Sequence, residues 1–278
     1  MKDRFKGKKI VSICCNLPGP LITYRLKKLM AMVIKVEPPE GDPLEKYCPQ
    51  FYHYLSQDQV IQKIDLKNNR NLLLTELEKA DLFIVSNRPQ SLKKLGLDFE
   101  SLHKLFPSLN YLSLVGFTSP HHNKPGHDLT YLAKKNILST KELPKILLAD
   151  TAGALEGLLW SQAALLNKNK SGEFEQVSLD QSVDFFTLPL KFGLTGNENA
   201  LLGGALPGYN IYPTKEGFLA LGALEPHFFK RLVELMGLNE KSSKSEFEKY
   251  FLQKSAREWE SWGQMHDLPM VEISEELV

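Results

Sequence analysis

Short apolar runs of strand length recur through the first two thirds of this 278-residue chain, and helical patterns separate them. Strands are expected at 9–15, 32–37, 63–66, 81–85, 109–115 and 175–179, and helices at 21–30, 69–80, 151–167 and 181–192. Strands linked through helices pair in parallel, because a crossover returns the chain to the same edge of the sheet. The run Leu82-Phe83-Ile84-Val85 suits a strand covered on both faces. The expected fold class is therefore α/β, with a large doubly wound, Rossmann-like parallel-sheet domain. Its ligand-binding loops belong at the carboxyl ends of the strands.

The pattern changes after the glycine-rich stretch 193–208. Segments 210–214 and 218–224 flank Lys215-Glu216-Gly217 and read as a β-hairpin. Glu225-Pro226 then opens a helix to about Met236, with proline at the first helical position, and two more helical segments follow. The expected division is a large α/β domain at 1–192, a linker at 193–208 and a smaller α+β domain at 209–278.

The chain carries 34 basic and 33 acidic side chains, which gives no general electrostatic case for nucleic acid or a membrane surface. Cys14, Cys15 and Cys48 have neither zinc nor disulfide-framework spacing, which fits a reducing, cytoplasmic setting. The apolar run 10–15 is broken at once by Asn16, Pro18 and Pro20, so it reads as a first strand rather than a leader. No stretch approaches the length of a membrane-spanning helix.

Gly126-His127-Asp128 and Asp150, in Leu148-Ala149-Asp150-Thr151-Ala152-Gly153, set an imidazole and a separate carboxylate at the starts of two successive helices. Helix capping alone accounts for Asp128 and Asp150. Two bases of different type on helix N-termini also suit proton movement across a carbon centre, and an imidazole titrates near neutral pH. Glu225, just before Pro226, has the same dual reading.

Those segments, with 33–43, Arg88-Pro89 and Gly222-Ala223-Leu224-Glu225-Pro226, resemble in order and spacing the family III CoA-transferases, the CaiB/BaiF superfamily. The His-Asp pair is similar to the α-methylacyl-CoA racemase branch, and the likeness runs from about Gly7 to about Glu276. It implies racemisation at the α-carbon of a 2-methylacyl-CoA thioester, with His127 and Asp150 as the acid/base pair. Asp128 and Glu225 would hold the imidazole. The transferase branch implies CoA transfer between carboxylic acids instead, through an aspartyl-CoA formed on Asp128. A non-catalytic CoA-binding relative is the third reading.

The resemblance makes the large domain the CoA-binding one and assigns 33–43, with Glu37 and Pro38, to the CoA nucleotide. Arg25, Lys35 and Arg88 are the cations expected near its phosphates. No cofactor is implied beyond the CoA moiety of the substrate, and the implied partner is a second copy in an interlocked homodimer. Two departures stand out. The family's arginine-rich segment is replaced by Leu55-Ser56-Gln57-Asp58-Gln59, and Gln90 stands where Arg-Pro-Gly has its glycine. Family members also commonly continue well past the position of Ile273.

Overall fold

The computed structural model describes residues 3–167 and 171–274 and divides into two compact units, Met1–Phe186 and Thr187–Val278. The division falls before the boundary expected at 192.

The first unit runs β1 (Lys9–Ser12), α1 (Pro18–Lys28), β2 (Met32–Glu37), α2 (Pro43–Tyr47), α3 (Pro49–Ser56) and β3 (Val60–Lys63). It continues with α4 (Arg70–Leu77), β4 (Leu82–Val85), α5 (Pro89–Leu95), α6 (Phe99–Leu105) and β5 (Asn110–Val115). It ends with α7 (Asp128–Lys134), α8 (Leu148–Leu166), β6 (Phe174–Ser178) and α9 (Leu179–Phe186). The six strands form one parallel sheet in the order β3-β2-β1-β4-β5-β6. The chain builds outward from β1 to β3, then returns to the other side of β1 for β4. The winding therefore reverses between β1 and β4.

The two-residue period of the strands sorts their side chains onto two cores. Ile10, Val33, Leu82 and Leu112 pack on Ile22 and Leu26 of α1 and Leu158 of α8. Val11, Ile34, Phe83 and Val85 face the other way, onto Leu73 and Leu77 of α4 and Leu92 of α5. Each fully buried leucine, isoleucine or phenylalanine contributes about 1.5–3 kcal/mol of transfer free energy, and both layers are needed to cover such strands.

Several elements differ from their expected bounds: β1 ends at Ser12, the helix expected at 181–192 is broken at Thr187, and β3 and α8 shift. β3 pairs as Ile34↔Val60 through Glu37↔Lys63 rather than lying at 63–66. Asp65 already begins a turn there, its carboxylate accepting from the Lys67 N–H and the Asn68 amide. Helix α8 starts at Leu148, so Asp150 lies inside the first turn rather than at the cap.

In the second unit α10 (Leu188–Lys191) is followed by a short 3₁₀ turn at Leu201–Gly203, inside the expected linker. Then come β7 (Tyr209–Pro213), β8 (Phe218–Gly222), α11 (Pro226–Met236), α12 (Lys244–Phe251), α13 (Ala256–Met265) and β9 (Met270–Ile273). β7 and β8 form the expected hairpin, and β9 adds antiparallel to β8. Tyr212, Leu219 and Leu221 on the sheet pack against Leu232, Phe247, Phe251 and Trp259 on the helices. Among the described residues no helix is long and apolar enough to cross a membrane.

Candidate active site

A cleft of about 290 Å³ opens where the sheet reverses its winding. Its wall comes from the segments that leave β1 (Cys15, Asn16), β4 (Ser86 to Arg88) and β5 (Gly116), joined by His122, by 124–127 and by Asp150 of α8. In a doubly wound sheet the adjacent loops part at this point and leave a crevice. Asn16 makes the turn out of β1 with φ of 64°, a left-handed conformation asparagine tolerates better than most residues.

His127 and Asp150 both line this cleft. His127 precedes α7, and its backbone N–H donates to the Thr130 hydroxyl at 3.0 Å, which fixes the entry to the helix. The imidazole side chain is exposed. Asp150 is partly buried, and its pKa is raised to about 6, by burial first and then by the nearby Asp128 charge, with His127 acting in the opposite direction. Burial, followed by the charge of Asp150, pushes the Tyr131 hydroxyl on the same wall up to about 12.

Asp128 behaves differently. It is the first residue of α7, 4 % exposed, and its Oδ1 accepts the backbone N–H of Asp150 at 3.0 Å. Its Oδ2 is buried without a partner. The carboxylate presented to the cleft is therefore Asp150, and Asp128 stands behind it. Asp128, which the resemblance puts at the thioester, is not among the residues that line the cleft.

The expected CoA contacts divide in the same way. Arg88 is exposed on the cleft wall. Lys35 is not available to a phosphate: it is 2 % exposed, and its ammonium binds Glu37 Oε1 at 2.9 Å and Asp42 Oδ2. Burial alone would lower the Lys35 pKa, but its bonds to Asp42 and Glu37 leave it raised. Glu37 is equally buried and accepts a hydrogen bond from the Tyr52 hydroxyl at 2.8 Å. These side chains anchor the loop rather than a ligand, for Asp42 Oδ1 also accepts the N–H groups of Asn16 and Leu44. Pro38 is exposed directly after β2, and Arg25 is exposed on α1 away from the lining of this cleft. Glu225 belongs to the second unit, exposed before the first residue of α11, where its side chain makes no capping bond.

Several wall residues were not singled out in the sequence. Asn16 and Ser86-Asn87 directly follow strands, so their place at the carboxyl ends was the available signal. Nothing local marks His122, Lys124 or Tyr131. Cys15 also lines the cleft, but burial and then the Asp42 charge push its thiol up to about 12, so it is not a poised nucleophile. Among the described residues no group of three or more His, Cys, Asp or Glu side chains is arranged to hold a metal ion.

The family model described as CoA-transferase family III matches residues 5–273. A succinate–glutarate CoA-transferase from Agrobacterium fabrum is 28 % identical over 269 residues, 85 % of this chain and 67 % of the relative. The human alpha-methylacyl-CoA racemase is 27 % identical over 289 residues, 91 % of this chain and 73 % of the relative. A solved CaiB/BaiF family protein from Brucella suis superposes with a TM-score of 0.81 at 21 % identity, covering 97 % of this chain and 83 % of that one. That likeness speaks for the fold.

Proposed function

Because the chain belongs to CoA-transferase family III, we propose that it transfers CoA between carboxylic acids through the carboxylate of Asp150. The observation that carries this reading is that Asp150 is the carboxylate lining the cleft, with its pKa raised to about 6. At neutral pH it is mostly ionised, yet more basic than an ordinary aspartate. Such a group combines nucleophilicity with availability.

Asp150 attacks the thioester carbonyl, the C–S bond breaks, and a mixed anhydride and CoA thiolate result. The thiolate attacks the aspartyl carbonyl, releasing the donor acid and leaving aspartyl-CoA. The acceptor carboxylate attacks that thioester and expels the thiolate again. The thiolate then attacks the acyl carbonyl of the second anhydride, which frees Asp150 and yields the new acyl-CoA. His127, on the same wall, supplies a donor for the oxyanion formed at each step. The reading is tested by incubating the protein with acyl-CoA and then hydroxylamine. A hydroxamate on Asp150, found by peptide mass spectrometry, supports it, and an unmodified Asp150 rejects it.

A second reading is favoured by one observation: an imidazole and a carboxylate of near-neutral pKa share the cleft. That pair suits α-proton transfer, the racemase chemistry expected from the sequence. Racemisation requires the α-proton of a 2-methylacyl-CoA to wash out in deuterium oxide, whereas transfer alone leaves it in place. Transfer takes precedence because it needs only the carboxylate already in the cleft, and because the family carries that activity in its description.

The expected partner, a second copy of the chain, is supported by the outer face of α8. Leu155 and Leu159 there are 50 % and 62 % exposed, one helical turn apart. Sedimentation of the chain and of Leu155→Lys/Leu159→Lys tests it, with a shift from dimer to monomer expected.

A further inference from the structure

We infer that the amino-terminal edge of the parallel sheet docks on an anionic lipid surface, with Met30 as the side chain that enters it.

The backbone of Met30 leads there. Its φ is 70°, and every other described residue of positive φ is glycine, asparagine or aspartate. Those residues tolerate the left-handed region, where a larger side chain sets its β-carbon against the following carbonyl. Helix α1 ends in a pair of reversed hydrogen bonds, from the Met30 N–H to the Lys27 carbonyl at 2.9 Å and from the Ala31 N–H to the Leu26 carbonyl at 3.2 Å. Helices α5 and α11 end in the same pair, made by Gly96 with Leu97 and by Gly237 with Leu238. Met30 thus stands where the fold elsewhere uses glycine. Packing does not offset the strain, because the residue is 50 % exposed. A strained residue kept in that state points to a use outside the fold.

Its surroundings define the use. Met32 pairs with Lys9 at the start of β2, and Val60 opens β3 beside Ile34, so both lie at the amino-terminal edge, and both are exposed. Arg4 and Lys6 flank the buried Phe5, whose N–H donates to the Leu29 carbonyl at 3.0 Å and holds them against the end of α1. Arg25, Lys27 and Lys28 come from the last turn of that helix. None of these five cations has a carboxylate within ion-pair distance among the described residues, whereas Lys8 and Lys9 each do. The neighbouring acids are Asp3 and Asp58, both exposed. The nearly balanced total charge of the chain conceals this local positive excess.

The dipole of α1 accounts for cations in its last turn. It accounts for neither Arg4 and Lys6 nor the exposed apolar side chains. Apolar side chains among unpaired cations match a bilayer surface, where anionic headgroups take the cations and the acyl boundary takes the methionine. A nucleic acid would use the cations and leave Met30, Met32 and Val60 in water. The cleft lies at the carboxyl ends of the same strands, so it faces away from a bilayer docked at this edge.

The test is sedimentation of the 278-residue chain with two kinds of vesicle, phosphatidylcholine alone and phosphatidylcholine with phosphatidylglycerol in equal parts. Binding to the anionic vesicles alone is expected, and it should fall as potassium chloride is raised. Lys6→Gln and Lys28→Gln should each weaken it about fivefold. Met30→Gly should weaken it about tenfold, yet raise the urea midpoint by relieving the strain, so a folding defect cannot explain the loss. A Met30→Gly chain that is more stable and binds the vesicles as before overturns the proposal. So does equal binding to the two vesicles, or binding to neither. Duplex DNA is titrated in parallel, and tighter binding to it than to the anionic vesicles would give the cations to a nucleic acid and overturn the proposal too.

Discussion

Asp128 Oδ1 accepts the backbone N–H of Asp150 at 3.0 Å, tying the first residue of α7 to the first turn of α8. The same contact brings a negative charge against Asp150, where it adds to burial in raising that pKa. Asp128→Asn keeps an acceptor oxygen and removes the charge. The acid limb of the pH–activity profile, set near pH 6 by Asp150, should move to lower pH in this variant while the fold persists. Asp128→Ala also leaves the Asp150 N–H unpartnered, a cost of about 1–3 kcal/mol. Rate profiles and urea melts of both variants check this, and an unmoved acid limb in Asp128→Asn would separate Asp128 from the ionisation of Asp150.

The raised pKa of Asp150 has a stability consequence of defined sign. Its folded value of about 6 lies above the usual 3.8, so the folded state binds the proton more tightly than the unfolded chain. The resulting stabilisation is fully present below about pH 3.8 and is lost as pH rises through about 6. Asp150→Asn removes the ionised form altogether. It should raise stability at pH 7.5 by about 1–3 kcal/mol, with little gain at pH 4. Thermal melts of both proteins at the two pH values measure the difference, and the variant should have lost CoA transfer.

The buried ion cluster under the loop after β2 predicts a large effect from a single change. Lys35→Met leaves the buried carboxylates of Glu37 and Asp42 without their cation. Breaking such a cluster from one side costs about 3–5 kcal/mol. Lys35→Met/Glu37→Gln/Asp42→Asn removes the charges together and should recover part of that loss. Urea denaturation of the two variants is the measurement. A Lys35→Met protein as stable as the parent, with only its CoA affinity reduced, would return Lys35 to the ligand.

The alternation of apolar runs with helical patterns made the parallel sheet legible, and the place where its winding reverses located the cleft. That His127 and Asp150 stand at successive helix starts was legible too, and the structure sets both on the wall of one cleft. What remained hidden depends on contacts between distant segments. Asp150 looked like a cap, but Asp128, twenty-two residues earlier, accepts the N–H that places it inside the helix. Lys35 was expected near a CoA phosphate, but its side chain is buried on β2 against Asp42 from the loop that follows, a contact no local pattern announces. β9 comprises four residues after Leu268-Pro269, and its partner β8 lies some fifty residues back.

Tyr131 is packed between two glycines that leave it no spare room, which permits a test of the cleft floor by paired substitutions. A β-carbon at Gly116 would lie 2.3 Å from the Tyr131 hydroxyl oxygen, and one at Gly126 would lie 2.5 Å from its ring carbon Cε1. Gly116→Ala and Gly126→Ala should each destabilise the chain by about 1–3 kcal/mol through overpacking. Tyr131→Phe removes the hydroxyl that blocks Gly116 but keeps the ring edge that blocks Gly126. The double variant Gly116→Ala/Tyr131→Phe should therefore regain much of its loss, while Gly126→Ala/Tyr131→Phe should not. Double-mutant cycles in urea read the two coupling energies directly. Equal coupling at both glycines would mean that the ring shifts as a whole, and the hydroxyl would no longer count as a fixed part of the cleft wall.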